Sequence, residues 1–193
     1  MLKSLLSITT AAVLLAAPAL AHAETSPYYV GGQYAKQTVE IDTGFGNLDL
    51  DFGTVALVGG YKVNQYFAVE ARYAFGVKDE SFSDEEYSTK IKVNNQMALL
   101  AKGIMPLSDE FSVFAVAGYS KTEYKTSFRE LEISGSEKDS ENGIMYGIGA
   151  EYHLNDKFSL SLEYAMLPDL EDDEDDSAVA DVSQISVGVS YHF

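Results

Sequence analysis

The chain of 193 residues contains no cysteine, no tryptophan and only four prolines. Without cysteine there is no disulfide, no thiolate metal centre and no thiol nucleophile. Basic residues are scarce: 13 Lys and Arg stand against 30 Asp and Glu, a formal charge of −17. That balance argues against nucleic acid and other phosphate-rich partners held by electrostatic attraction. Beyond the N-terminal region, no stretch offers the roughly 18 unbroken apolar residues of a membrane helix.

What is present begins with an address label. Lys3 supplies a positive start, Leu5 to Leu20 are almost continuously apolar, and Ala21-His22-Ala23 has the small-x-small form of a cleavage site. Residues 1–23 are therefore expected to be a signal peptide and 24–193 a single domain. Loss of the leader removes Lys3 and no acid, so the remainder carries 12 basic and 30 acidic residues, or −18.

Alternation with period two predicts strands at Pro27–Gln37, Gly53–Val63, Phe67–Gly76, Asn95–Met105, Phe111–Lys121, Gly143–Leu154, Phe158–Leu167 and Val182–Phe193. The connections alternate in length. Asn64–Tyr66, Pro106–Glu110 and Asn155–Lys157 are short, whereas 38–52, 77–94, 122–142 and 168–181 are long and polar. An up-and-down barrel has this pattern, with turns at one rim and loops at the other. Three-residue turns at Asn64–Tyr66 and Asn155–Lys157 would pair Val63 with Phe67, Tyr61 with Val69, Leu154 with Phe158 and Tyr152 with Leu160, like face on like face and without a bulge.

The two faces differ in kind. In the last strand Ile185, Val187, Val189, Tyr191 and Phe193 oppose Gln184, Ser186, Gly188, Ser190 and His192. Elsewhere Phe67, Val69, Ala71, Tyr73 and Phe75 oppose Ala68, Glu70, Arg72 and Ala74. An eight-stranded lumen has room only for modest side chains, so the large apolar face must point outward, into lipid. Aromatic residues fall at both expected rims, with Tyr28, Tyr61, Phe67, Tyr152 and Phe158 near the turns and Tyr34, Tyr73, Phe75, Tyr119 and Tyr146 near the loops. The fold class implied is all-β, an eight-stranded antiparallel up-and-down transmembrane β-barrel.

The opening Tyr28-Tyr29-Val30-Gly31-Gly32, the hairpin repeats and the closing Val187-Gly188-Val189-Ser190-Tyr191-His192-Phe193 resemble the small outer-membrane barrels typified by the OmpA transmembrane domain, OmpX and the opacity-type proteins. The resemblance covers residues 24–193. It implies a place in the outer membrane, contact with its lipid and lipopolysaccharide, and delivery by the barrel-assembly machinery. It also implies that Tyr191 and Phe193 form the terminal assembly signal.

Six charged residues project inward by this phase: Lys62, Glu70, Arg72, Lys102, Glu151 and Glu163. Charge in a narrow barrel is costly unless paired, so a structural network plugging the lumen is expected, with a gated ion path as the alternative. The acidic run Glu171–Asp176 reads as a solvated loop, or as a divalent bridge to lipopolysaccharide. His153, with Ser159 and Glu163 nearby, suggests the Ser-His-acid arrangement of barrel lipid A deacylases, yet it lies near the turn rim and their His-x-Ser-Asn run is absent. No catalytic, cofactor-binding or metal residue is assigned and no cofactor is expected. The expected function is that of a non-enzymatic surface protein in envelope integrity, adhesion or interaction with host or environment through four acidic loops, with any extracellular ligand unidentified. The alternatives are a narrow passive channel and a lipid A-modifying enzyme.

Overall fold

Alternating side chains let each segment put one row into lipid and the other into a shared lumen, and the backbone then finds its hydrogen bonds only between neighbouring strands. The computed structural model describes residues 26–42, 47–78, 80–83, 87–130, 133–168, 170–171 and 178–193. The strands are β1 (Tyr28–Asp42), β2 (Asn47–Asn64), β3 (Phe67–Lys78), β4 (Glu80–Ser83), β5 (Tyr87–Pro106), β6 (Phe111–Glu130), β7 (Ile133–His153), β8 (Phe158–Met166), β9 (Leu170–Glu171) and β10 (Ala178–His192). Short β4 pairs with β5 and short β9 with β10, so each extends a neighbouring stave above the rim. The other eight run antiparallel in chain order, and β1 pairs with β10 from Tyr29↔His192 to Ile41↔Ala180. The Ser26 amide donates to the Phe193 carbonyl at 2.9 Å, so the start of β1 and the end of β10 meet at the turn rim. The expected signal segment, 1–23, and residues 172–176 of the acidic run lie outside the described residues.

The polarity of the wall is inside out. Leu57, Ile148, Ile144 and Leu99 are 61–67 % exposed, while Glu70 and Glu163 are 2 % exposed. Rings cluster at the turn rim: Tyr28 lies 5.1 Å from Tyr61, Phe158 5.2 Å from Tyr191, and Tyr191 5.1 Å from Phe193.

The turns share one chemistry. Asn64 Oδ1 accepts from the Tyr66 and Phe67 amides at 2.7 and 2.9 Å, and Asn155 Oδ1 accepts from the Lys157 and Phe158 amides at 2.9 Å each. Ser108 Oγ takes the Glu110 and Phe111 amides in the same way. Short side-chain acceptors thus replace the missing ladder partners.

Two expectations need correction. Tyr61 does pair with Val69, but Asn64 rather than Val63 faces Phe67. The first turn therefore carries a bulge, because the Asn64 side chain tightens it by one residue. Among the described residues, the connections 38–52, 77–94 and 122–142 are also largely strand. The β6–β7 ladder runs from Phe111↔Tyr152 past the last lipid-facing ring, Tyr119, to Glu130↔Ile133. Above the bilayer no lipid-facing row is required, so a polar sequence continues the ladder without the alternation that marks it below.

Inside, the loop end is sealed by an apolar cluster of Val39, Leu50, Phe52, Val93, Tyr124, Leu167 and Val182. Beneath it, the Gln37 amide nitrogen donates to Gln96 Oε1 at 3.1 Å and to Gln184 Oε1 at 3.0 Å. The charged residues lie below this layer.

Candidate functional site

The charged interior is built by side chains from four staves. Arg72 on β3 donates Nε and Nη2 to Glu70 Oε2 at 2.9 and 2.6 Å. Its Nη1 and Nη2 also reach Glu163 on β8 at 2.6 and 2.8 Å. Lys102 Nζ on β5 lies 2.8 Å from Glu151 Oε2 on β7 and 3.2 Å from Glu70 Oε1. Five of the six expected residues thus form one connected cluster. The sixth, Lys62, is half-buried toward the turn rim and makes no ion pair within 4 Å among the described residues.

Taking these charges from water costs several kcal/mol per ion, which a planar guanidinium bonded to two carboxylates can offset and a single-point contact cannot. Three carboxylates face two cations in the cluster, so one negative charge is left over. We assign it to Glu151, whose Oε1, the oxygen not paired with Lys102 Nζ at 2.8 Å, lies 3.8 Å from His153 Nδ1 and 3.7 Å from His192 Nε2.

Reasoning from charge alone missed the aromatic frame around this cluster. The Tyr29 hydroxyl donates to Glu70 Oε1 at 2.7 Å. Its ring lies flat over Gly60, where a Cβ would come within 2.0 Å of it. Phe114 lies over Gly149 in the same fashion, at 2.3 Å, and its face receives Lys102 Nζ 4.2 Å from the ring centre. Gly60 and Gly149 thus mark where the wall thins so that rings can lie against it.

The suggested grouping of His153, Ser159 and Glu163 does not form. Ser159 Oγ is instead 3.0 Å from His192 Nε2, while Glu163 is bound to Arg72. At the opposite end, beyond the lipid-facing band, burial first and the Glu141 charge second push the Tyr124 phenol well above its ordinary pKa, so it stays neutral within the apolar seal.

Comparison with known proteins bears on the whole chain. The profile described as "Outer membrane protein beta-barrel domain" matches residues 7–193. Among solved structures, Ail, the attachment invasion locus protein of Yersinia pestis, in complex with the heparin analogue sucrose octasulfate, superposes with a TM-score of 0.60 at 18 % identity, over 86 % of this chain and 97 % of its own. Neisserial surface protein A gives 0.57 at 15 %, over 88 % and 99 %. The N-terminal β-barrel domain of Pseudomonas aeruginosa OprF gives 0.53 at 13 %, over 88 % and 100 %. No curated protein matches by sequence. At these identities the structures share the fold. The family profile spans nearly the full length of a chain that folds into a closed, lipid-facing barrel, and the protein therefore belongs to the outer-membrane β-barrel family.

Proposed function

We propose that this outer-membrane barrel is a non-enzymatic surface protein that binds through its extracellular ribbons, and that the cluster of Glu70, Arg72, Lys102, Glu151 and Glu163 is a structural plug. The observation that carries this is the β6–β7 ladder, which continues from Ser120↔Gly143 to Glu130↔Ile133, about 35 Å of strand beyond the lipid band. A pore does not need a projecting ribbon, whereas a binding surface does. The interior packing supports the same reading. A void lined by Gln33, Ala35, Thr54, Arg72, Gln96 and Gln184 holds about 20 Å³, room for about one water molecule. Ser159, 1 % exposed and facing the lumen, does not meet an acyl chain in the surrounding lipid.

The partner is positively charged. Residues 38–52 and 168–181 contain Asp and Glu but no Lys or Arg. Ail was crystallised with a polyanion; these segments suit the opposite charge.

Refolded protein in planar bilayers and in vesicles provides the test. The expected result is conductance far below that of a wide porin, salt-sensitive binding to polylysine, none to heparin, and binding weakened both when the acids of 38–52 and 168–181 are changed to amides and when residues 122–142 are replaced by a short turn. Large, steady currents proportional to salt would overturn the plug. Binding undiminished by the replacement would overturn the ribbon's role.

A further inference from the structure

The leftover charge at the turn rim is where the structure says more. Glu151 and His153 are two apart on β7 and so share its inner face; His192 comes from β10, with β8 between them. Their ligating atoms all lie within 4.8 Å of one another. The separations from Glu151 Oε1 are 3.8 Å to His153 Nδ1 and 3.7 Å to His192 Nε2. A tetrahedral zinc ion with bonds of about 2.0–2.1 Å holds its ligands about 3.3–3.4 Å apart, so small side-chain adjustments close the shell. We propose that Glu151, His153 and His192 form a binding site for a transition-metal dication of the zinc class at the periplasmic mouth of the barrel.

The surroundings fit such a site. Two imidazoles and one carboxylate are the donor set that zinc takes with a fourth position left to water. Lys102 holds the other Glu151 oxygen at 2.8 Å and so fixes the carboxylate from behind, as outer partners do for metal ligands. The His153 side chain is 28 % exposed and gives an ion its entry path, while the other two ligands are buried. The mouth carrying the short turns, the start of β1 and the end of β10 is the periplasmic one in this architecture. Lys102, for all that it fixes the carboxylate, repels a dication by its charge, and two further groups oppose the ion. Ser159 Oγ shares His192 Nε2 at 3.0 Å and must yield that lone pair. Lys62, also at this rim, repels a dication.

A bound ion would tie the terminal strand to β7 across the two seams flanking β8. Its presence is therefore readable as stability as well as binding. Apart from His22, in the expected signal segment, His153 and His192 are the only histidines, so imidazole-dependent binding by residues 24–193 must arise here.

The experiment is a zinc titration of the full barrel, refolded in detergent and stripped with chelator, with a chromophoric chelator as competitor. The expected result is one saturable site per chain, unaffected by millimolar calcium, and a urea midpoint that rises with zinc. Cobalt in its place should give the strong visible absorption of a four-coordinate nitrogen–oxygen site. His153→Ala, at a partly exposed position, should fold with normal heat-modifiable gel mobility and bind at least 10-fold more weakly; His192→Asn is the second variant. Lys62→Gln should tighten binding. Displacement by calcium, parental affinity in both histidine variants, or weaker binding in Lys62→Gln would each overturn the site.

Discussion

Arg72 and Glu163 face each other across the full width of the barrel. Three of the eight staves lie between β3 and β8 in either direction, yet two guanidinium nitrogens reach the carboxylate at 2.6 and 2.8 Å. The side chain thus acts as a cross-beam, joining walls that share no backbone hydrogen bond. Removing it in Arg72→Ala leaves two buried carboxylates short of a counter-charge and is expected to cost about 3–5 kcal/mol, measured by urea unfolding in vesicles. Arg72→Lys keeps the charge but loses the fork, and is expected to fall between the two. An Arg72→Ala barrel as stable as the parent would show that the beam carries nothing.

Tyr29 supplies a second prediction. Its ring occupies the place a side chain at position 60 would need. Gly60→Ala is expected to destabilise by about 1–3 kcal/mol through overpacking. Tyr29→Ala makes room for that methyl group, so the double variant should lose less than the two single losses combined. Strict additivity would mean that the ring and the glycine are not coupled.

The apolar seal supplies the third. Phe52→Ala empties part of the cluster at the loop end and is expected to cost about 3–5 kcal/mol. Conductance should nevertheless stay low, because the linked Gln37, Gln96 and Gln184 still span the lumen beneath. Single-channel recording of the variant checks this. Porin-like currents would show that the seal alone closes the barrel.

The fourth concerns assembly. Phe193 is exposed to lipid and packs edge-on against Tyr191 at 5.1 Å. Its deletion is expected to reduce the heat-modifiable form recovered from outer membranes several-fold, with little change in unfolding of what does assemble. Pulse-chase labelling of the two forms separates these effects. Equal assembly rates would remove Phe193 from the terminal signal.

The legible part of this molecule is the part that lipid constrains. The strand starts at Phe67, Phe111 and Phe158 are readable because each follows a polar turn and opens an apolar row. The inward phase of Glu70, Arg72, Lys102, Glu151 and Glu163 follows from the same alternation. The loop ends are not readable this way, since strands above the bilayer have no apolar row to reveal them. Nor are the partners inside the lumen. Which residue Arg72 meets depends on how far each stave is staggered around the closed barrel, and no local pattern encodes that. His192 shows both limits: its parity places it inward, but its meeting with Glu151 and Ser159 joins three separate strands.

The seam between β1 and β10 has a kinetic consequence. It joins Tyr29 to His192, nearly the whole length of the chain, so the last ladder to form is also the one with the largest loop to close. Until Phe193 has emerged, β1 and β7 or β8 present unpaired backbone edges that any other strand can extend. No subset of hairpins removes both edges. Folding of this barrel is therefore committed only at its final residues, and a nascent chain stalled anywhere before them is a template for aggregation rather than a partly stable domain.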